Sequence, residues 1–168
     1  MKQLFLLRHA KSSRKDSSLP DHDRPLAGRG RRASKAMAAY LRAHRIEPAL
    51  VLCSSATRAR QTLDGVAPGL GDAPGVKVET ELYEASAAGL LGRLQRIPDA
   101  VPSAMLIGHN PAMERLALDL ATGGPALAEL ASKYPTGALA TLEFQGRWSD
   151  LDADRAQLVG LVKPRDLE

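Results

Sequence analysis

The chain has 168 residues, 44% hydrophobic and 25% charged, an ordinary globular balance that argues against disorder and suits one domain over residues 1–168. No apolar run approaches the roughly 20 residues of a membrane span, and a strand begins too near the N-terminus for a signal peptide, so a non-exported, cytoplasmic protein is expected. The net charge of +4 would suit a nucleic-acid binder, but aromatics are only 4% and none interleave with basic residues to stack bases, so neither nucleic acid nor membrane is an expected partner.

Gln3–Leu7 is almost wholly apolar and reads as a strand covered on both faces. It ends in Arg8-His9, at the carboxyl end where open α/β sheets place their ligands. Ala33, Ala36, Met37, Tyr40 and Leu41 form one apolar stripe on a helix over about residues 29–44. Arg29-Gly30-Arg31-Arg32 is its solvated first turn, His44 a charge partner at its C-terminus, and Pro48 closes the element. Ala49–Cys53 is a second strand, running into Ser54-Ser55-Ala56-Thr57-Arg58. The lone Cys53 reads as a small buried residue rather than a nucleophile. Ala59, Thr62, Leu63, Val66, Ala67 and Leu70 repeat the helical stripe, with Ser54 or Ser55 as N-cap, and Gly69–Gly75 is a loop.

Val76–Thr80 alternates with period two and predicts a third strand near an edge. Ala87, Leu90, Leu91 and Leu94 mark a helix that Ser86 can cap, ended by Pro98 and Pro102. Ala104–Ile107 is a fourth strand and delivers Gly108-His109-Asn110-Pro111. Asn110 reads as the N-cap and Pro111 as the first-turn residue of a helix buried through Met113, Leu116, Ala117, Leu120 and Ala121. Residues 122–137 form an excursion with a short helix. Gly137–Phe144 and Ala156–Val162 are two final strands able to pair antiparallel, with Trp148 packing at the sheet edge. Strand–helix alternation of this kind predicts βαβ units and a mainly parallel sheet.

Three apolar strands thus end in Arg or His. With Glu84, from the loop after the third strand, they define one constellation: Arg8, His9, Arg58, His109 and Glu84. Guanidinium forks match phosphate oxygens, and two fit one phosphoryl group. At an effective dielectric near 20, opposite unit charges about 4 Å apart attract by about 4 kcal/mol before desolvation. That holds a dianion and follows charge as it spreads over the equatorial oxygens during transfer. The histidines (His9, His22, His44, His109) lack metal-ligand spacing and a single cysteine builds no thiolate site, so neither metal nor other cofactor is expected. Attack then falls to a side chain or water. His9 is the natural candidate, because flanking cations push an imidazole below its ordinary value and a neutral ring nitrogen can form a phosphohistidine that water hydrolyses. His109 would be a second donor. His22 reads as a loop residue near the pocket mouth, and Lys11 and Arg60 add to the positive field.

Leu7-Arg8-His9-Ala10, the run from Ser54 to Thr62, and Gly108-His109-Asn110-Pro111 together resemble the histidine phosphatase superfamily, also called phosphoglycerate-mutase-like, and within it the SixA-type phosphohistidine phosphatases. Asp23-Arg24-Pro25-Leu26, with Gly28 and Gly30, answers to the stretch that this family places before its first helix. The resemblance implies a single domain folded as a three-layer α/β/α sandwich around a mainly parallel sheet of about six strands. It implies His9 as the phosphorylated nucleophile, Arg8 and Arg58 as the phosphate clamp and His109 as the second pocket histidine. Ser12, Arg24 and Asn110 would contact substrate, with Lys11 and Ser13 competing for the part of Ser12. Ala10 stands where many members carry glycine, a difference of one methyl group.

Leu82-Tyr83-Glu84 is similar to the stretch from which ester-cleaving relatives and mutases take a proton donor. An alkoxide leaving group needs such an acid, and a departing imidazole needs it much less. A surface glutamate is the open alternative. The function expected is a cofactor-independent phosphatase, acting as a monomer on phosphohistidine of a protein or on a small phosphorylated metabolite. A phosphosugar or phosphoglycerate phosphatase or mutase is one alternative. A phosphate-dependent binding module without turnover is the other.

Overall fold

A computed structural model describes residues 1–72 and 74–168; Ala73, within the Gly69–Gly75 loop, lies outside the described residues. The apolar runs form β1 (Lys2–Arg8), β2 (Leu50–Ser54), β3 (Gly75–Glu79) and β4 (Ser103–Gly108). Between them lie α1 (Gly28–Ala43), α2 (Thr57–Val66) and α3 (Ala87–Gln95), the last capped by Ser86, whose hydroxyl accepts from Gly89 N–H. The chain continues through α4 (Ala112–Leu120), β5 (Ala121–Gly123), α5 (Leu127–Ser132), β6 (Leu139–Phe144) and β7 (Ala156–Val162).

Strand order is β3-β2-β4-β1-β6-β7-β5. The pairings leave β6 alone running against the rest, antiparallel to both β1 and β7. Period-two alternation sorts each central strand between two cores. Leu4, Leu6, Leu52 and Leu106 pack with residues of α3, α4 and α5. Phe5, Leu7, Val51, Cys53, Met105 and Ile107 pack with Met37 and Leu41 of α1 and Ala59, Leu63 and Val66 of α2. The result is the three-layer α/β/α sandwich expected.

Among the described residues the sheet has seven strands where about six were expected, and the extra one is β5. Ala121, read as the last core residue of the fourth helix, instead caps α4 and opens β5 beside β7. Three residues of Ala-Thr-Gly carry no strand pattern of their own; the edge of β7 supplies it, with Thr122 Oγ1 donating to Ala156 O at 3.1 Å. The predicted edge position of the third strand holds, since among the described residues β3 pairs only with β2. Trp148 lies deeper than the sheet edge. It is fully buried in the larger core, edge-on to Phe144 at 5.1 Å, and its indole N–H donates to Val101 O. Among the described residues no helix is long and apolar enough to cross a membrane.

This topology positions the site. β4 is inserted between β1 and β2, with Arg8 level with Gly108 and Cys53 level with Ile107. The carboxyl ends of three neighbouring strands therefore finish together, beside the crevice where doubly wound sheets hold ligands.

Candidate active site

β1 ends because its backbone is captured on three sides. His9 N–H donates to Gly108 O at 3.0 Å, and Gly137 N–H donates to both Arg8 O and His9 O. Gly137 sits at φ +77, a conformation that disfavours other residues. Ala10 N–H donates to Thr62 Oγ1, which in turn donates to Arg58 O, tying the strand end to α2.

Within this frame the His9 ring is buried, 7% exposed, and its Nδ1 lies 2.7 Å from Ala10 O. A carbonyl oxygen only accepts, so Nδ1 carries the proton and the lone pair of the neutral ring is on Nε2. Arg58 Nε–H points at that nitrogen from 3.4 Å. Burial, with help from the Arg58, Arg8 and Arg24 charges, pushes His9 down to about 4. The ring is therefore neutral near pH 7 with its free nitrogen facing a cation.

His109, at the end of β4, stands with its ring centre 5.1 Å from that of His9. Its Nε2 meets Ser54 Oγ at 2.7 Å, and burial and the neighbouring His9 push it down to about 3. Ser54 also accepts from Ala56 N–H at 3.2 Å. Neither Ser54 nor Ser55 caps α2 as predicted; the cap position is Ala56. Ser54 is the last residue of β2, fully buried, and spends its hydroxyl on His109. Ser55 meets His22 Nε2 at 2.8 Å. That contact holds His22 at the pocket rim.

Arg8 Nη1 donates to Tyr134 O at 3.0 Å, and Asn110 Nδ2 donates to the same carbonyl at 3.2 Å. Asn110, the predicted cap, stands one residue before the observed cap position, which Pro111 takes, though its Oδ1 still accepts from Glu114 N–H. Arg24, 9% exposed, donates through Nε to Asp21 Oδ1 at 3.1 Å. Buried side-chain polar atoms without a partner, among the described residues, are Arg8 Nε, Arg24 Nη1 and His109 Nδ1. All three belong to this cluster, and the two arginine atoms are donors in every state. Such a site lacks acceptors, and a tetrahedral oxyanion supplies them.

Glu84 is exposed and lines a cleft of about 660 Å³ with Tyr83, His109 and Asn110. The cleft runs on between the starts of α3 and α4, past Ala85, Ala87, Ala112 and Leu118. Ser12 is held by backbone pairing with Leu26; among the described residues its hydroxyl bonds to no member of the cluster. Cys53, pushed up to about 12 by burial, has no thiolate character. His44 stacks on Tyr40 at 4.0 Å, away from the site.

Sequence reasoning missed Asp21 and Tyr83. Asp21 Oδ2 and its backbone O accept from Arg58 Nη2 and Nη1 at 3.0 and 2.7 Å, and Tyr83 Oη–H donates to Oδ2 at 2.5 Å. The Tyr83 hydroxyl first, then Arg58, holds the Asp21 carboxyl far below the usual carboxylate range. The Asp21–Arg24 spacing was the available signal, because i and i+3 eclipse on a 3₁₀ turn such as Asp21–Asp23.

A family model described as the histidine phosphatase superfamily (branch 1) matches residues 4–141. An uncharacterized protein of Mycobacterium tuberculosis is 39% identical over 165 residues, covering 95% of this chain and 100% of that protein. Phosphohistidine phosphatase SixA of Escherichia coli is 31% identical over 142 residues, covering 83% of this chain and 84% of the relative. The solved structure of a protein histidine phosphatase SixA complexed with tungstate superposes with a TM-score of 0.80 at 26% identity, covering 99% of both chains.

Proposed function

The chain belongs to the histidine phosphatase superfamily (branch 1) and is a phosphatase; on that premise we propose that it hydrolyses protein phosphohistidine through a covalent phosphohistidine on its own His9. One observation carries the reading. A neutral imidazole offers Nε2 to a site where Arg58 Nε–H faces it and Arg8 Nε and Arg24 Nη1 lack acceptors. The likeness to SixA proteins, one of them complexed with tungstate, a tetrahedral oxyanion, supports the same ligand class here.

In the first step the Nε2 lone pair attacks phosphorus, the N–P bond forms, and the bond to the leaving group breaks with its electron pair. Three guanidinium groups, Arg8, Arg24 and Arg58, balance charge on the transferring oxygens. In the second step water attacks phosphorus, the O–P bond forms with both water protons leaving on the released phosphate, and the pair of the breaking N–P bond returns to Nε2. The tautomer survives both steps because Nδ1–H stays bonded to Ala10 O. A phosphoimidazole protonated on its second nitrogen leaves as neutral imidazole, so the first step then needs no acid. The open, small-residue cleft walls at Ala85, Ala87 and Ala112 leave room for a leaving group carried on a protein surface.

A second reading, a small-molecule phosphate ester as substrate, is favoured by Glu84. It lines the same cleft as His109, the cleft through which an alkoxide would depart. The two part in a substrate panel of phosphohistidine peptide, phosphoramidate and sugar phosphates, run on wild type, Glu84→Gln and His9→Ala. P–N cleavage unchanged in Glu84→Gln, with base-stable, acid-labile label on His9, is expected for the protein substrate. Preference for a sugar phosphate, lost in Glu84→Gln, would overturn that choice of substrate. Absence of label on His9 during turnover would overturn the mechanism.

A further inference from the structure

Arg58 is buried, yet its terminal nitrogens do not reach toward His9. Nη1 donates to Asp21 O at 2.7 Å and Nη2 to Asp21 Oδ2 at 3.0 Å, leaving only Nε to face His9 Nε2. Rotation of a guanidinium held at both tips breaks two charge-assisted hydrogen bonds, so the clasp decides which edge of the fork meets the reacting centre. The same carboxylate accepts from Arg24 Nε and from the Tyr83 hydroxyl. Tyr83 adjoins Glu84, stands edge-on to His109 at 5.5 Å and to His22 at 4.7 Å, and lines the cleft. One side chain thus joins the Asp21–Asp23 turn, the head of α2 and the segment between β3 and α3 across the pocket mouth.

We propose that Asp21, clasped by Tyr83, is a positioning residue that acts through Arg58: it turns the Arg58 Nε–H onto the phosphoryl group in transfer at His9. The inference rests on the His9 reading above. Two consequences distinguish it from a carboxylate that merely fills the pocket. A competitor for the arginines would be displaced by phosphate, and removing its charge would tighten phosphate binding. A positioning residue instead sharpens the fit to the five-coordinate transition state, and removing it costs rate more than ground-state affinity. Its effect must also vanish once Arg58 is gone, because residues acting as one unit are not additive.

The test measures kcat and KM for an aryl phosphate, and calorimetric binding of orthovanadate and orthophosphate, in wild type, Asp21→Asn, Tyr83→Phe, Arg58→Ala and Asp21→Asn/Arg58→Ala. Asp21→Asn is expected to lower kcat by about 30-fold with KM within about threefold, and vanadate affinity should fall with kcat while phosphate affinity barely moves. Tyr83→Phe, which deletes a single hydroxyl, should lower kcat by about three- to tenfold. The double variant should bind vanadate no more weakly than Arg58→Ala. Tighter phosphate binding by Asp21→Asn, an equal vanadate loss with and without Arg58, or Tyr83→Phe at the wild-type rate would overturn the proposal. If Asp21→Asn fails to fold, the Tyr83→Phe rate and vanadate affinity decide. A wild type that forms no labelled His9 would instead overturn the reading beneath it.

Discussion

Acidification is the most direct probe of the nucleophile. An ordinary imidazole has a pKa near 6.5, whereas His9 is pushed down to about 4, first by burial and then by the Arg58, Arg8 and Arg24 charges. At pH 5.5 an unperturbed imidazole is about 9% neutral and a ring with a midpoint near 4 about 97% neutral, so about tenfold more of the nucleophile survives. The displacement corresponds to about 3 kcal/mol of preference for the neutral ring, at a side chain that solvent scarcely reaches. The linkage has a definite sign. Between about pH 6.5 and 4 the unfolded chain binds a proton at this position and the folded chain does not, so stability falls as pH drops through that window. His109, pushed down to about 3, contributes in the same direction. Nitrogen-15 spectra of the imidazoles over pH 4–8 should show His9 as the Nδ1–H tautomer with a midpoint well below 5. Phosphoenzyme bursts at saturating aryl phosphate should lose little His9 nucleophile between pH 7 and 5.5. The melting temperature should drop over the same interval. A His9 midpoint between 6 and 7, or the Nε2–H tautomer, would refute the reasoning.

Gly30→Ala places a Cβ 2.1 Å from Lys11 O, and backbone cannot yield cheaply. A loss of about 2–4 kcal/mol in urea unfolding is expected despite the helix propensity of alanine, worth only about 1 kcal/mol; a stabilised variant would refute the contact. Ser54→Ala strips His109 Nε2 of its hydroxyl partner and leaves Ala56 N–H unpaired. It should cost about 1–3 kcal/mol of stability and lower kcat about tenfold, with wild-type kinetics excluding a role for that contact. Arg58→Lys keeps the charge but not the fork that spans Asp21 and His9. A loss of about 100-fold in kcat/KM is expected, and activity within about threefold of wild type would reduce Arg58 to a point charge.

Much of the molecule is written locally. Apolar runs ending in Arg8-His9, Ser54 and His109 specify strands and their basic ends, because side-chain period and burial are properties of a few neighbouring residues. The stripes of α1 to α4 are likewise legible in the chain. Helix starts were less so: the Ser54 hydroxyl and the Asn110 amide nitrogen serve the site, at His109 and the Tyr134 carbonyl, and the caps of α2 and α4 fall one or more positions later.

What the amino-acid order determined by itself was which side chains carry the chemistry and at which strand ends they sit. Tertiary structure alone decided that β4 lies between β1 and β2, that a three-residue segment becomes β5, and that Asp21 reaches Arg58 and Tyr83. The physical reason is range. Periodicity reports which face of an element is apolar, whereas strand order and contacts such as Asp21 to Tyr83, 62 residues apart, depend on which faces meet once the whole chain has closed.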